Sequence, residues 1–326
     1  MISSNVGKRL SEHAPGKCCR PFIKSESPNS NWEYLPYMRI LLFGKNGQLG
    51  WELHRNLITL GDLTVIDYPN VDFNRPQTLP EIVRAARPDV IINAVAYTNV
   101  DKAEGEPDVA RRVNADAVGE IAREAKNLGA LLVHFSTDYV FDGAKGSSYV
   151  ETDTPNPLNV YGKTKLAGED AAAQAGNALI LRTSWMYSLR QHNFALSVLE
   201  WARKYPVVHV VDDHIGSPTW ARPLAEITSQ LVNRVFGQKN IASQGVYHLA
   251  GAGFATRFMF AQEILKFDPH PEEWIMTSLL PAKSIDFPLE AARPVNSALD
   301  ISLFSRTFGM CLPPWHECVQ LMMALH

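Results

Sequence analysis

The sequence predicts an α/β fold: a doubly wound parallel sheet followed by a smaller C-terminal α/β unit. Three observations predict it. Short runs that are apolar on both faces alternate with stretches of helical period, as in a parallel sheet covered on both sides. The first such run, MRILLF at 38–43, passes directly into a glycine-rich turn. Past about residue 185 the alternation becomes less regular, and proline and aromatic residues accumulate toward Trp315.

The elements follow in order. MRILLF reads as a buried strand, and 48–60 as a helix with Leu49, Leu53, Leu57 and Leu60 on one face. LTVID (63–67) is a strand, and 79–86 a helix stopped before Pro88. VIINAVA (90–96) is a strand, 108–128 one long helix ending at Gly129, and ALLVHFS (130–136) a strand. A helix at 159–175 and the strand ALILRTS (178–184) complete the regular part. Helices are then expected at 194–204 and 220–236, and strands at 207–213 and 245–251. This pattern divides the chain into a dinucleotide-binding domain at 38–185, with 207–237 returning to it, and a substrate domain at 186–206 and 238–326. Residues 1–37 are polar and turn-rich without either period, and read as a disordered extension.

Composition narrows the function. Of 326 residues, 46% are hydrophobic, enough for packed cores and too many for a disordered chain. The formal net charge of −3 carries no basic excess for nucleic acid. No apolar run approaches the roughly 18 residues of a membrane helix, and the N-terminus lacks the apolar core of a secretory signal. Cys18, Cys19, Cys311 and Cys318 are too few for a disulfide framework, which points to the cytoplasm. Cys311 and Cys318 read as packed thiols, and the histidines show no metal-ligand spacing.

The turn after the first strand is Gly44-Lys45-Asn46-Gly47-Gln48-Leu49-Gly50. Glycines there allow close backbone approach to a pyrophosphate, and the following helix aims its N-terminal amides at the anion. Strand before and helix after favour a Rossmann-type dinucleotide site over an ordinary turn. Asp67 ends the second strand roughly 20 residues on, where a carboxylate reaches the adenosine ribose. Asp disfavours a 2′-phosphate, whereas Lys45 could meet one, so NADH and NADPH both stay open. Asp72 and Phe73 are placed to line the adenine site, a position equally suited to a solvated turn.

Tyr161 and Lys165 share a helix face at i and i+4. An ammonium beside a phenol lowers its pKa from about 10 toward the working range of a proton donor. Alone, that pair reads as an exposed helix face. Thr137 changes the weighting. It ends the strand 130–136, at the carboxyl edge where such sheets bind ligands, and its hydroxyl could bond a substrate carbonyl as charge develops.

With these motifs in place, the chain resembles the dTDP-4-dehydrorhamnose reductases of the extended short-chain dehydrogenase/reductase superfamily, from about Met38 onward. The matching stretches include LLFGKNGQLGWEL (41–53), PDVIINAVAYTNVDKAE (88–104), STDYVFDG (136–143), ETDTPNPLNVYGKTKLAGE (151–169), LRTSWMYS (181–188) and ARPVNSALD (292–300). The resemblance implies NADH- or NADPH-dependent reduction of the 4-keto group of dTDP-4-dehydro-L-rhamnose, the last step of dTDP-rhamnose synthesis for surface polysaccharide. By resemblance Tyr161 is the proton donor, helped by Lys165 and Thr137. Ala94, Ala96 and Tyr97 fall at the cofactor. Thr98, Val100, Asp138, Tyr139, Trp185, Asn193 and Arg293 fall among the dTDP-sugar contacts. The family also admits Mg²⁺ and a homodimer. A non-catalytic relative, the regulatory subunit of methionine adenosyltransferase, and a nucleotide-sugar dehydratase or epimerase are the alternatives. The intact Thr137, Tyr161 and Lys165 argue against the first, and Asp138-Tyr139 in place of Asp-Glu argues against a dehydratase.

Overall fold

The computed structural model describes residues 38–238 and 244–325, so the extension expected at 1–37 lies outside the described residues. The chain runs β1 (Met38–Phe43), α1 (Gln48–Leu57), β2 (Gly61–Ile66), α2 (Leu79–Ala86), β3 (Val90–Asn93), α3 (Val100–Gly105), α4 (Pro107–Arg111), α5 (Ala117–Leu128), β4 (Leu131–Thr137), α6 (Val160–Ala173) and β5 (Ala178–Thr183). It continues through β6 (Met186–Tyr187), α7 (Phe194–Lys204), β7 (Val207–Val211), β8 (Ile215–Gly216), β9 (Thr219–Trp220), α8 (Ala221–Gln238), β10 (Gly245–His248), β11 (Ala255–Thr256), α9 (Arg257–Lys266), β12 (Ser278–Ala282), α10 (Ser302–Phe308) and α11 (Trp315–Met323).

Six strands form a central sheet in the order β10-β5-β4-β3-β1-β2, each neighbouring pair parallel. Chain direction across the sheet reverses between β1 and β3, which opens a crevice beyond their carboxyl ends. β3, β4 and β5 are buried along their whole length, so both faces must be covered. Leu49, Leu53 and Leu57 of α1 cover one face together with Leu224, Leu231, Phe304 and Phe308. Leu79, Val83, Val118, Ile121 and Ala125 cover the other. A third cluster, built on Tyr187, Val198, Phe260, Ile264, Trp315 and Met322, forms the core of a second lobe. Each fully buried large apolar side chain contributes about 1.5–3 kcal/mol.

The structure alters four expectations. The helix expected at 108–128 is interrupted by a wide turn of i→i+5 hydrogen bonding over Arg112–Asp116. That turn directs Asn114 inward, where its Oδ1 accepts from Tyr97 N at 2.8 Å and its Nδ2 donates to Thr164 Oγ1 at 3.1 Å. The strand expected to return to the first domain, β7, pairs instead with β12, away from the central sheet. Its residues alternate exposed and buried, which suits a strand covered on one face. Conversely, β10, assigned by sequence to the substrate domain, joins the central sheet beside β5. Cys318 is a packed thiol as expected, but Cys311 is exposed.

Candidate active site

The crevice is built first by the turn after β1. Gly44 has φ +91°, a left-handed conformation open to glycine, and a Cβ on Gly50 would lie 1.8 Å from the Gly44 carbonyl oxygen. The turn and α1 can therefore touch only with glycine at 50. Asp67 fastens the turn from the end of β2, accepting from Asn46 N at 2.8 Å and from Tyr68 N at 2.7 Å.

Beyond this turn lies a cavity of about 410 Å³. Gly47, Gln48 and Leu49 line it from one side, and Ala94, Ala96 and Thr98 from the loop after β3. Thr137, Asp138, Tyr161, Lys165 and Trp185 line it too. The three residues expected to carry the chemistry thus converge on one space. Thr183 also lines it, and its hydroxyl is buried without a partner. The glycine cradle, which leaves backbone free to approach a phosphate, suits a dinucleotide.

Burial dominates the electrostatics. It holds the Tyr161 phenol well above its ordinary range, and the nearby Asp138 charge adds to that. Burial also lowers Lys165 to about 8. The Lys165 ammonium donates to the Phe135 carbonyl at 2.6 Å and sits 3.4 Å from His134 Nε2. Asp138 is buried and pushed up to about 6, although hydroxyls of Ser297, Ser184 and Thr137 oppose the shift.

Trp185 divides this cavity from an apolar groove of about 810 Å³, lining both. Its φ is +41°, and its indole occupies the space that a Cβ on Gly216 would fill, 2.3 Å away. The Arg257 guanidinium stacks on the indole at 3.5 Å. Tyr139, His214 and Arg293 line the same groove.

Other expected residues lie elsewhere. Phe73 is buried against Phe43, ring centroids 5.5 Å apart, and Asp72 sits in the adjoining turn with its Oδ1 on Asn74 N. Neither lines the two cavities, nor does Val100, at the start of α3. Tyr97 donates to Glu106 at 2.7 Å. Asn193 caps α7 through Ala195 N and Leu196 N and donates to Ser188 O, so its polar atoms are spent on its own loop. Arg293 pairs with Asp101 at 2.6 Å. Sequence reasoning missed Arg257, Ser184 and Ser297. Only the Thr256 cap ahead of α9 marked Arg257's position, and nothing local marked the serines. Among the described residues no cluster of three or more His, Cys, Asp or Glu could hold a metal ion.

A dinucleotide-type crevice carrying a Thr, Tyr and Lys set at the end of β4 defines a nicotinamide-dependent oxidoreductase of the short-chain dehydrogenase/reductase class. Comparison with known proteins agrees. A family model described as RmlD substrate binding domain matches residues 38–326. A dTDP-4-dehydrorhamnose reductase of Salmonella typhimurium is 42% identical over 294 residues, spanning 88% of this chain and 97% of its own. One of Burkholderia thailandensis is 40% identical over 290 residues, spanning 87% and 97%. The chain belongs to the dTDP-4-dehydrorhamnose reductase family.

Solved structures place it likewise. The dTDP-4-dehydrorhamnose reductase of Bacillus anthracis in complex with NADP superposes with a TM-score of 0.80 at 30% identity, covering 89% of this chain and 100% of that one. A UDP-glucose 4-epimerase of Thermus thermophilus, in complex with NAD, shares the fold at TM-score 0.71 and 17% identity, covering 88% and 98%.

Proposed function

We propose that the protein reduces the 4-keto group of dTDP-4-dehydro-L-rhamnose to dTDP-L-rhamnose with NADH or NADPH. The observation that carries this reading is the convergence of Thr137, Tyr161 and Lys165 on the cavity that the glycine turn closes. When bound, the dinucleotide supplies the hydride. Gly47, Gln48, Leu49, Ala94, Ala96 and Thr183 are the groups that would hold it. Asp67, at the end of β2, opposes a 2′-phosphate by charge and favours NADH.

The chain's own residues supply the proton and the geometry. Tyr161 stands as a neutral phenol at working pH and donates to the C4 oxygen. The Lys165 cation, held by the Phe135 carbonyl, stabilises the phenolate left behind. Trp185, between the two spaces, orients the sugar, and Arg257 and Arg293 give the groove cations suited to a diphosphate. Burial of the reacting groups excludes water and strengthens each of these interactions. The family resemblance further supports a homodimer, which sedimentation would read.

The test is an assay with enzymatically made dTDP-4-dehydro-L-rhamnose, following loss of the reduced cofactor's absorbance. Oxidation of NADH or NADPH is expected only with the keto sugar present. No oxidation with either cofactor would overturn the reading.

A further inference from the structure

We propose that Arg257 is a positioning residue: its guanidinium plane holds the Trp185 indole at the boundary between the dinucleotide cavity and the apolar groove. The inference deepens the reading above and rests on it.

The backbone of Trp185 comes first. A φ of +41° on so bulky a residue has to be imposed by its surroundings. The chain on either side imposes it. Ser184 Oγ donates to Asp138 Oδ2 at 3.0 Å and accepts from Ser217 N at 3.2 Å. Met186 and Tyr187 pair with Thr219 and Trp220, and Thr219 N donates to the Trp185 carbonyl at 3.3 Å. Both neighbours are thus fixed, which sets the direction in which the indole leaves the chain.

The ring is held separately. Gly216 lies against it with no room for a Cβ, which would fall 2.3 Å from Cε2 and 2.5 Å from Nε1. Arg257 Cζ lies 3.5 Å from the ring centre, the contact of a cation on an aromatic face. The same guanidinium is 4.9 Å from the Phe194 ring centre. Phe194 in turn stacks on Phe260, with centroids 5.5 Å apart and planes 21° apart, and Phe260 is fully buried in the core of the second lobe. Contacts therefore run from that core through Phe194 and Arg257 to the indole. Arg257 itself opens α9, where Thr256 Oγ1 accepts from Met259 N at 3.0 Å. Trp185 lines the cavity that holds Thr137, Tyr161 and Lys165, whereas Arg257 lines the groove alone. Arg257 acts on the reaction through Trp185.

Arginine suits this task because its guanidinium is a plane that stacks on a ring, whereas a lysine ammonium is a point charge. A cation needed only for a diphosphate is replaceable by lysine, but a plate against the indole is not.

The first arm of the test uses the free protein and is independent of which keto sugar is the substrate. Fluorinated tryptophan is incorporated and followed by fluorine NMR, with Trp185→Phe and Trp51→Phe assigning those two signals. Arg257→Lys should move the Trp185 signal and leave that of Trp51, on α1, in place. Gly216→Ala should also move it, because the added Cβ displaces the ring. In the second arm, turnover of the keto sugar by Arg257→Lys should show kcat lowered at least about tenfold. The KM for the sugar nucleotide and the calorimetric affinity for the dinucleotide should be little changed. A Trp185 signal unmoved by Arg257→Lys, or a lysine variant with full kcat, would overturn the proposal. Should Arg257→Lys not fold, Gly216→Ala decides by the same two readouts, and an unmoved signal or an unchanged kcat overturns it. An unaltered protein that turns over no keto sugar sinks the activity reading instead, and the NMR arm still decides the role of Arg257.

Discussion

The Lys165 ammonium lies 2.6 Å from the Phe135 carbonyl oxygen, so the cation one helical turn beyond Tyr161 is anchored to β4. Burial lowers this lysine to about 8. Below that pH it is charged, and above it the charge is lost. Turnover should therefore fall as pH rises through about 8, seen in the pH profile of kcat. Lys165→Met should lose about 10²-fold or more at neutral pH and flatten that fall.

Gly50→Ala tests the cradle. Its Cβ would meet the Gly44 carbonyl at 1.8 Å, so turn and helix must separate. A cost of roughly 1–3 kcal/mol is expected in urea unfolding. Affinity for either dinucleotide, read by calorimetry, should weaken at least about tenfold, since the amides no longer converge.

Asp67→Asn tests cofactor choice. The carboxylate accepts from Asn46 N at 2.8 Å, and beside a bound adenosine ribose its charge would repel a 2′-phosphate. Removing its charge should raise the ratio of kcat/KM for NADPH over NADH about tenfold, or roughly 1.4 kcal/mol. An unchanged ratio would show that Asp67 only fastens the turn.

Stability should depend on the buried pair Arg182 and Glu169, which meet at 2.8 and 2.7 Å with both side chains 4% exposed. Arg182→Met leaves Glu169 buried and unpaired, at a cost of about 3–5 kcal/mol. Arg182→Met combined with Glu169→Gln should cost less, because no charge is stranded.

Acid should destabilise the fold through His248. Its buried ring donates from Nδ1 to the Tyr149 carbonyl at 3.1 Å, and its Nε2 has no partner. Burial lowers its pKa from 6.5 to about 3. The neutral ring's contribution is present above 6.5 and is lost as pH falls toward 3, roughly 3 kcal/mol between pH 6.5 and 4. Urea unfolding across that window should show the loss, and His248→Gln should reduce it.

Local chemistry made much of this molecule legible in sequence. The double-faced apolar runs that became β1, β3, β4 and β5 announce burial whatever surrounds them. The turn from Gly44 to Gly50 carries its requirement for small residues in its own spacing, and Tyr161 and Lys165 meet because a helix brings i and i+4 together. Tertiary structure alone decided what depends on distant partners. A run such as GVYH reads as a strand, but its place beside β5 follows from which sheet edge is left to cover. Asn193 looks free to contact ligand until the fold turns it onto its own helix. Asp138 gains its meaning from Ser184 and Ser297, 46 and 159 residues away in the chain, whose hydroxyls converge only when the second lobe packs against the first. Periodicity is a property of neighbours along the chain, whereas the surroundings of a buried carboxylate are set by groups the chain brings together from afar.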